Sequence, residues 1–343
     1  MNFSKTIDIL QNRACPSIQY RIKKEILNES NKSINMKNLQ NKVLQDDKVQ
    51  EIMALRQEDG WIGGLFHGER EPESAIRYLT EKGVEGDHPI IIDALNAIIN
   101  RGDDFDRGCM ERVGKPLDLC HLGGSNMIKA CVFAYAGNVN QKFVQEQIEE
   151  ALSAFEYILK LDNLNQLYRI YKDKINVFSD GTRWPSIYHM RLLALTDGWR
   201  CKENKRMLIS AFNKLVAFSP IPSIKLLYKN QVIAPASAFM DDFNVKMDNL
   251  SAKEWMMWFH RTELITRLDI ANDIPQIGNQ IDYLYEYMNS NDGFFLKGLS
   301  HYYFNKWTQY IGLALENNWK AQESRINDLT FRSLLILNLS NRL

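Results

Sequence analysis

Asp59-Gly60-Trp61, Asp180-Gly181-Thr182-Arg183-Trp184 and Asn291-Asp292-Gly293-Phe294-Phe295 decide how this chain reads. Each sets an Asp-Gly turn before an aromatic residue and then a run with helical spacing, so one punctuation is used three times. Their aspartates stand 121 and 112 residues apart. Degenerate copies fall near the midpoints, at Asp118-Leu119-Cys120-His121-Leu122-Gly123-Gly124 and at Ala236 to Phe243. With both counted, the chain holds about five units of ~55 to 60 residues, a length that suits two helices plus loops.

Working outward, apolar residues recur at three- and four-residue intervals over His88 to Ile99, Asn140 to Leu161, Asn204 to Phe218, Lys253 to Leu268, Gln276 to Met288 and Lys320 to Leu337. No set of alternating strands stands out. Pro72 with Glu71, Glu73 and Ser74 marks a helix start, and Ser179-Asp180 or Ser251 is suited to capping. Gly83, Gly102 and Gly137 read as stops. The polar stretch Asn28 to Asn41 reads as a connection or short helix outside the repeats. No Pro-, Gly- and Ser-rich linker divides the chain, so the expectation is one domain over 1–343, with a helical lead-in at 1–45 and repeats over 46–343.

The helices differ in kind. Gly123 to Ala134 is rich in small residues, as a helix packed on several sides requires, whereas Phe143 to Glu150 has a charged face for water. Alternation of the two kinds, each pair preceded by a Gly-rich aromatic loop, predicts an all-α, α/α toroid of inner and outer helices with a cavity where the loops gather.

Composition bounds the function. The 343 residues are 45% hydrophobic and 24% charged, enough apolar material for a large core. Lys plus Arg and Asp plus Glu number 42 each, and no long basic cluster interrupts that balance, which excludes nucleic acid as a partner. Met1 to Cys15 lacks the basic and apolar regions of a secretory signal, and no transmembrane run is present. Cys15, Cys109, Cys120, Cys131 and Cys201 are odd in number and widely spread, as in a reduced, cytoplasmic protein.

The stretch Leu55 to Gly64, with Gln57-Glu58-Asp59-Gly60-Trp61 within it, resembles the Q-x-x-[DN]-G-x-W signature of the terpenoid (squalene) cyclase and protein prenyltransferase β-subunit superfamily. Ser179 to Leu195 and Asn289 to Leu315 are similar to weaker copies, and as a pattern the resemblance covers Cys15 to Leu337. It implies an α/α toroid that binds an isoprenoid, an isoprenoid diphosphate or another apolar ligand in its cavity, as a transferase-like enzyme or as a noncatalytic ligand- or protein-binding helical-repeat protein. The D-x-D-D acid of protonation-type cyclases is missing; Asp103-Asp104-Phe105-Asp106 has related composition in another order. Asp241-Asp242 with Asp248 lacks the D-D-x-x-D spacing of magnesium-dependent synthases and reads as a solvated loop.

The same resemblance implies a zinc site. Asp118-Leu119-Cys120 matches the D-x-C and Tyr188-His189 the Y-H of prenyltransferase β subunits, in the same order and 69 residues apart. Asp118, Cys120 and His189 are thus the candidate metal ligands, and with His121 the candidate catalytic residues, zinc activating a substrate thiol at an open position. Such a transferase also needs an α-subunit. Cys120-His121 resembles in addition the C-H-G of lanthionine cyclases, without that family's upstream W-C-x-G. Against these stands ordinary packing: Cys120 beside Gly123-Gly124 as a small core residue, and His189 as a loop hydrogen-bonder.

Aromatic and basic groups at the loop mouths complete the candidates. Trp61, Phe66, Trp184, Tyr188, Phe294, Phe295, Tyr302, Tyr303 and Trp307 read either as a cavity lining or as staples between repeats, packing being the commoner use of tryptophan. His67 and His301 lie near loops expected to open on the cavity, and Arg191 is placed to bind a diphosphate or carboxylate. Trp61, His67, Trp184, Tyr188, Arg191, His301 and Tyr303 are the candidate substrate contacts.

Overall fold

All six of the periodic segments form helices in this computed structural model, which describes residues 3–102, 107–235 and 242–343. They run Pro89–Asn100, Lys142–Lys160, Lys202–Phe218, Ala252–Arg267, Pro275–Asn289 and Gln322–Leu339, and the protein is predominantly helical. In Lys142–Lys160 the spacing acts directly: Val144, Ile148, Ala151, Phe155 and Ile158 form one buried stripe. Fully burying each large member of such a stripe contributes about 1.5–3 kcal/mol. The polar stretch Asn28 to Asn41 leads into a helix, Ile34–Leu44, whose first turn is capped by Ser33 accepting from the Met36 N–H. Among the described residues no helix is long and apolar enough to cross a membrane.

Local punctuation is mostly as the residues predict. Pro72 opens the helix Pro72–Lys82 and Gly83 ends it in the left-handed conformation. Ser251 forms a capping box with Glu254. Ser179-Asp180 caps no helix; Ser186 does, for Ile187–Ala194, with His189 at the third position returning the bond. Gly60, Gly181 and Gly293 all hold positive φ, as the Asp-Gly turn requires.

Two antiparallel hairpins correct the expectation of helix without strands: Tyr168–Tyr171 with Ile175–Phe178, and Leu226–Tyr228 with Gln231–Ile233. The cause is turn chemistry. Lys229-Asn230, a two-residue turn, and Lys172-Asp173, the first two residues of a three-residue turn, each carry two successive positive φ values, a geometry that matches strand twist.

Contacts gather the chain into two compact units. One comprises Met1–Asn100, Met247–Asp269 and Gly278–Leu343; the other comprises Arg101–Lys246 and Ile270–Ile277. In the second, Ser125–Tyr135 and Ile187–Ala194 are buried almost throughout, while Lys142–Lys160 and Lys202–Phe218 each bury one face, Lys142–Lys160 packing against both buried helices and Lys202–Phe218 against Lys142–Lys160. The predicted alternation of buried and amphipathic helices therefore holds there.

In the first unit Ala252–Arg267 and Gln322–Leu339 pack together, each buried over most of its length. Trp255, Trp258, Phe259 and Phe295 form an edge-to-face cluster at their contact with the third Asp-Gly loop. Both helices also carry charge inward. Glu263 receives Arg332 at 2.7 Å and Arg267 at 3.0 Å, Arg21 reaches Glu25 at 2.5 Å and Glu81 at 2.6 Å, and Arg332 reaches Glu81 at 3.1 Å. Burial pushes Glu25 upward, but Arg21 and Arg267 more than reverse it and hold the carboxyl at about 2. Glu81 and Glu263 are likewise held at about 2 against burial, chiefly by Arg332.

Candidate ligand pocket

The first Asp-Gly loop is built to seat the start of Pro72–Lys82. A Cβ on Gly60 would collide with the carbonyl of Asp93, so only glycine permits this approach. Trp61 then turns inward, 1% exposed, its indole donating to the Gly64 carbonyl. Glu71 accepts from the Gly64 N–H at 2.6 Å, and His67 Nδ1 is hydrogen-bonded to the buried Glu73 carboxylate. These bonds aim one face of the new helix, Ser74, Ala75 and Tyr78, at a pocket of about 140 Å³.

Two other parts of the first unit close that pocket. The helix Asp47–Met53, capped by Asp46, presents Lys48, Glu51 and Ile52 at helical spacing. The irregular chain after the third Asp-Gly turn supplies Asn305–Trp307 and Ala314, Glu316 and Asn317. Trp307 stands edge-on to Tyr78 with ring centroids 5.0 Å apart, and its indole donates to the Ala314 carbonyl. Arg77 lies 4.9 Å from the Trp307 ring and Lys82 5.8 Å from the Tyr78 ring, so cations back both aromatic walls.

The polar atoms around it are unevenly satisfied. Lys82 is fully buried and gives its protons to Asp46, the Leu315 carbonyl and Asn317 Oδ1. Asp328 accepts from the Leu315 and Glu316 N–H groups, and burial pushes it up to about 7. Burial also raises the Cys15 thiol, with Glu316 adding to the effect, and the Tyr78 phenol, so both stay protonated at neutral pH. The Tyr78 hydroxyl is 5%-exposed-residue chemistry left over: among the described residues it has no hydrogen-bond partner. A buried hydroxyl without a partner costs about 1–3 kcal/mol.

The residues singled out from sequence separate into two places. His67 precedes Glu69 and Arg70 of the pocket wall, and Trp61 anchors the same loop. His301 caps Tyr302–Asn305 and packs on Tyr302 and Tyr303, with Lys253 5.3 Å from the Tyr303 ring, just ahead of Asn305–Trp307. Trp184, Tyr188 and Arg191 are buried in the second unit, Arg191 lying 5.3 Å from the Tyr188 ring.

The Asp118 loop and the Ser186–His189 turn do meet in that second unit, because Gly123 lies against the imidazole of His189. The three zinc candidates nevertheless have other engagements. Asp118 accepts from the Gly124 and Asn126 N–H groups with its two oxygens. His189 Nδ1 accepts from the Ser186 N–H at 2.9 Å, and burial pushes the ring down to about 3, so it stays neutral with its proton on Nε2, which has no partner among the described residues. Cys120 is raised by burial and by Asp180. His121 pairs with Glu150 at 2.9 Å, which also receives Arg183. Among the described residues no group of three or more His, Cys, Asp or Glu can hold a metal ion, so this set does not fit zinc. Asp103 to Asp106, Asp241 and the copy from Ala236 lie outside the described residues. Asp242 accepts from the Asn244 N–H and Asp248 from the Tyr283 hydroxyl.

Lys48, Tyr78, Lys82, Glu316 and Asp328 escape a reading by sequence. Their one signal is spacing, Tyr78 and Lys82 being one turn apart on the face that Ser74 begins. No protein-family model, curated protein or solved structure matches the chain.

Proposed function

We propose that this chain is a ligand-binding helical protein whose ligand places an apolar group of single-ring or single-isoprene size in the Tyr78–Trp307 pocket. The repeat pattern resembling prenyltransferases and terpenoid cyclases, with its α/α toroid, belongs to the same proposal. Two of the three Asp-Gly loops lead into segments that line the pocket, which supports it. A cavity of about 150 Å³ holds benzene, so 140 Å³ suits one ring and not a long isoprenoid chain.

The observation that carries this reading is the pocket of about 140 Å³ walled by Tyr78 and Trp307, whose rings stand edge-on with centroids 5.0 Å apart. Tyr78→Phe, which keeps the ring and removes a buried hydroxyl without a partner among the described residues, is expected to leave the fold equally or more stable in urea and the binding of both probes in place. Saturation-transfer NMR with benzyl alcohol and toluene checks this. Trp307→Ala is expected to weaken both probes by roughly tenfold or more, about 1.4 kcal/mol. If neither probe binds, or if Trp307→Ala binds them unchanged, the proposal fails.

A further inference from the structure

We propose that Lys48 is a reactive amine that captures a small apolar aldehyde or ketone in this pocket as a Schiff base, an inference that rests on the ligand pocket just described. Two lysines stand there around one asparagine. Asn317 accepts from Lys82 Nζ with Oδ1 at 3.0 Å and from Lys48 Nζ with its carbonyl at 2.8 Å, and its own side-chain N–H donates to Asp46.

The two amines differ in what is left to them. Lys82 is fully buried and engaged by three acceptors, one of them the Asp46 carboxylate at 3.1 Å. Lys48 is half-buried, has the Asn317 carbonyl as its acceptor, has no ion-pair partner among the described residues, and lines the pocket. Burial first, and then the neighbouring Lys82, lower its proton affinity from the ordinary lysine range; Asp46, Glu51 and Asp328 oppose them. A lysine desolvated beside a second cation is one of the established ways to make an amine nucleophilic near neutral pH.

The pocket supplies the rest of the step. An apolar carbonyl compound rests its hydrocarbon on the Trp307 and Tyr78 rings and Ile52, with its carbonyl carbon toward Lys48. The Lys48 lone pair forms the C–N bond while the carbonyl π pair moves to oxygen. Proton transfer gives the carbinolamine. The nitrogen then gives up its remaining proton and the oxygen leaves as water, so amine plus carbonyl becomes imine plus water, and no oxidant or reductant is required.

The test treats the full chain with benzaldehyde and sodium cyanoborohydride, which reduces an imine to a stable benzyl-lysine, followed by peptide mass spectrometry. The expected result is one benzyl group per chain, at Lys48, appearing before any at the 92%-exposed side chain of Lys142. Lys48→Arg is expected to abolish that early adduct with circular dichroism unchanged, and Trp307→Ala to slow it. Labelling in which Lys142 and other exposed lysines lead and Lys48 trails overturns the inference. Benzyl alcohol separates the two readings: if it binds and benzaldehyde is not trapped at Lys48, the amine chemistry alone fails, and if neither occurs the pocket reading falls too.

Discussion

Gly123 shows how one missing Cβ organises the second unit. It holds φ at 74°, and a Cβ there would enter the imidazole of His189 and the Ser186 hydroxyl. Gly181, with φ 77°, has open space around it. Gly181→Ala is therefore expected to cost only the left-handed conformation, about 1–2 kcal/mol, whereas Gly123→Ala adds overpacking of roughly 1–3 kcal/mol. Urea denaturation of the two variants measures the difference, and equal costs would show that His189 yields freely. That the Asp118 loop and His189 share one neighbourhood was legible from the 69-residue separation of Cys120 and His189. Their roles were not, because a ring nitrogen committed to Ser186 and one free for a metal are written with the same letter.

At the scale of elements, helices were legible wherever one face is buried, since a 3.6-residue stripe shows in the letters. Ser251 with Glu254 is the cleanest case, and Ser251→Ala is expected to lose about 1 kcal/mol, read as a lower urea midpoint. Ser186 with His189 has the same spacing, but histidine in place of glutamate hid the box. The hairpins were hidden for another reason: strands of three or four residues are too short for alternation to stand out, and Lys-Asp and Lys-Asn turns lack the glycine that usually announces them. Pocket formation was hidden by the third Asp-Gly copy. Its helix does not follow directly; only Tyr302–Asn305 is helical before Gln322, and the irregular chain between supplies Trp307 and Glu316. Long irregular connections in a folded unit are where binding groups collect.

Across the molecule, charged residues inside helices are the least legible, because nothing in the apolar spacing of their helices marks Glu263 and Arg332, which lie in the interior of the first unit. Their burial makes stability depend on pH in two opposed ways. Glu25, Glu81 and Glu263 titrate at about 2 when folded against an ordinary 4.5, so the unfolded chain binds protons first and their contribution is lost as pH falls from 4.5 toward 2. Asp328 is the reverse: raised from 3.8 to about 7, it favours the protonated folded state, and its contribution is lost as pH rises from 3.8 through 7. The urea midpoint is thus expected to climb between about pH 3 and 4.5, and to decline toward pH 8. Asp328→Asn should flatten the decline while leaving the acid limb in place, whatever its cost at a single pH. Glu263→Gln should instead lower stability by about 3–5 kcal/mol at neutral pH, because Arg332 and Arg267 lose their shared carboxylate. A profile without an acid limb in the parent chain would mean that the arginines hold these carboxylates no better folded than unfolded, and that the buried network does not stabilise the unit.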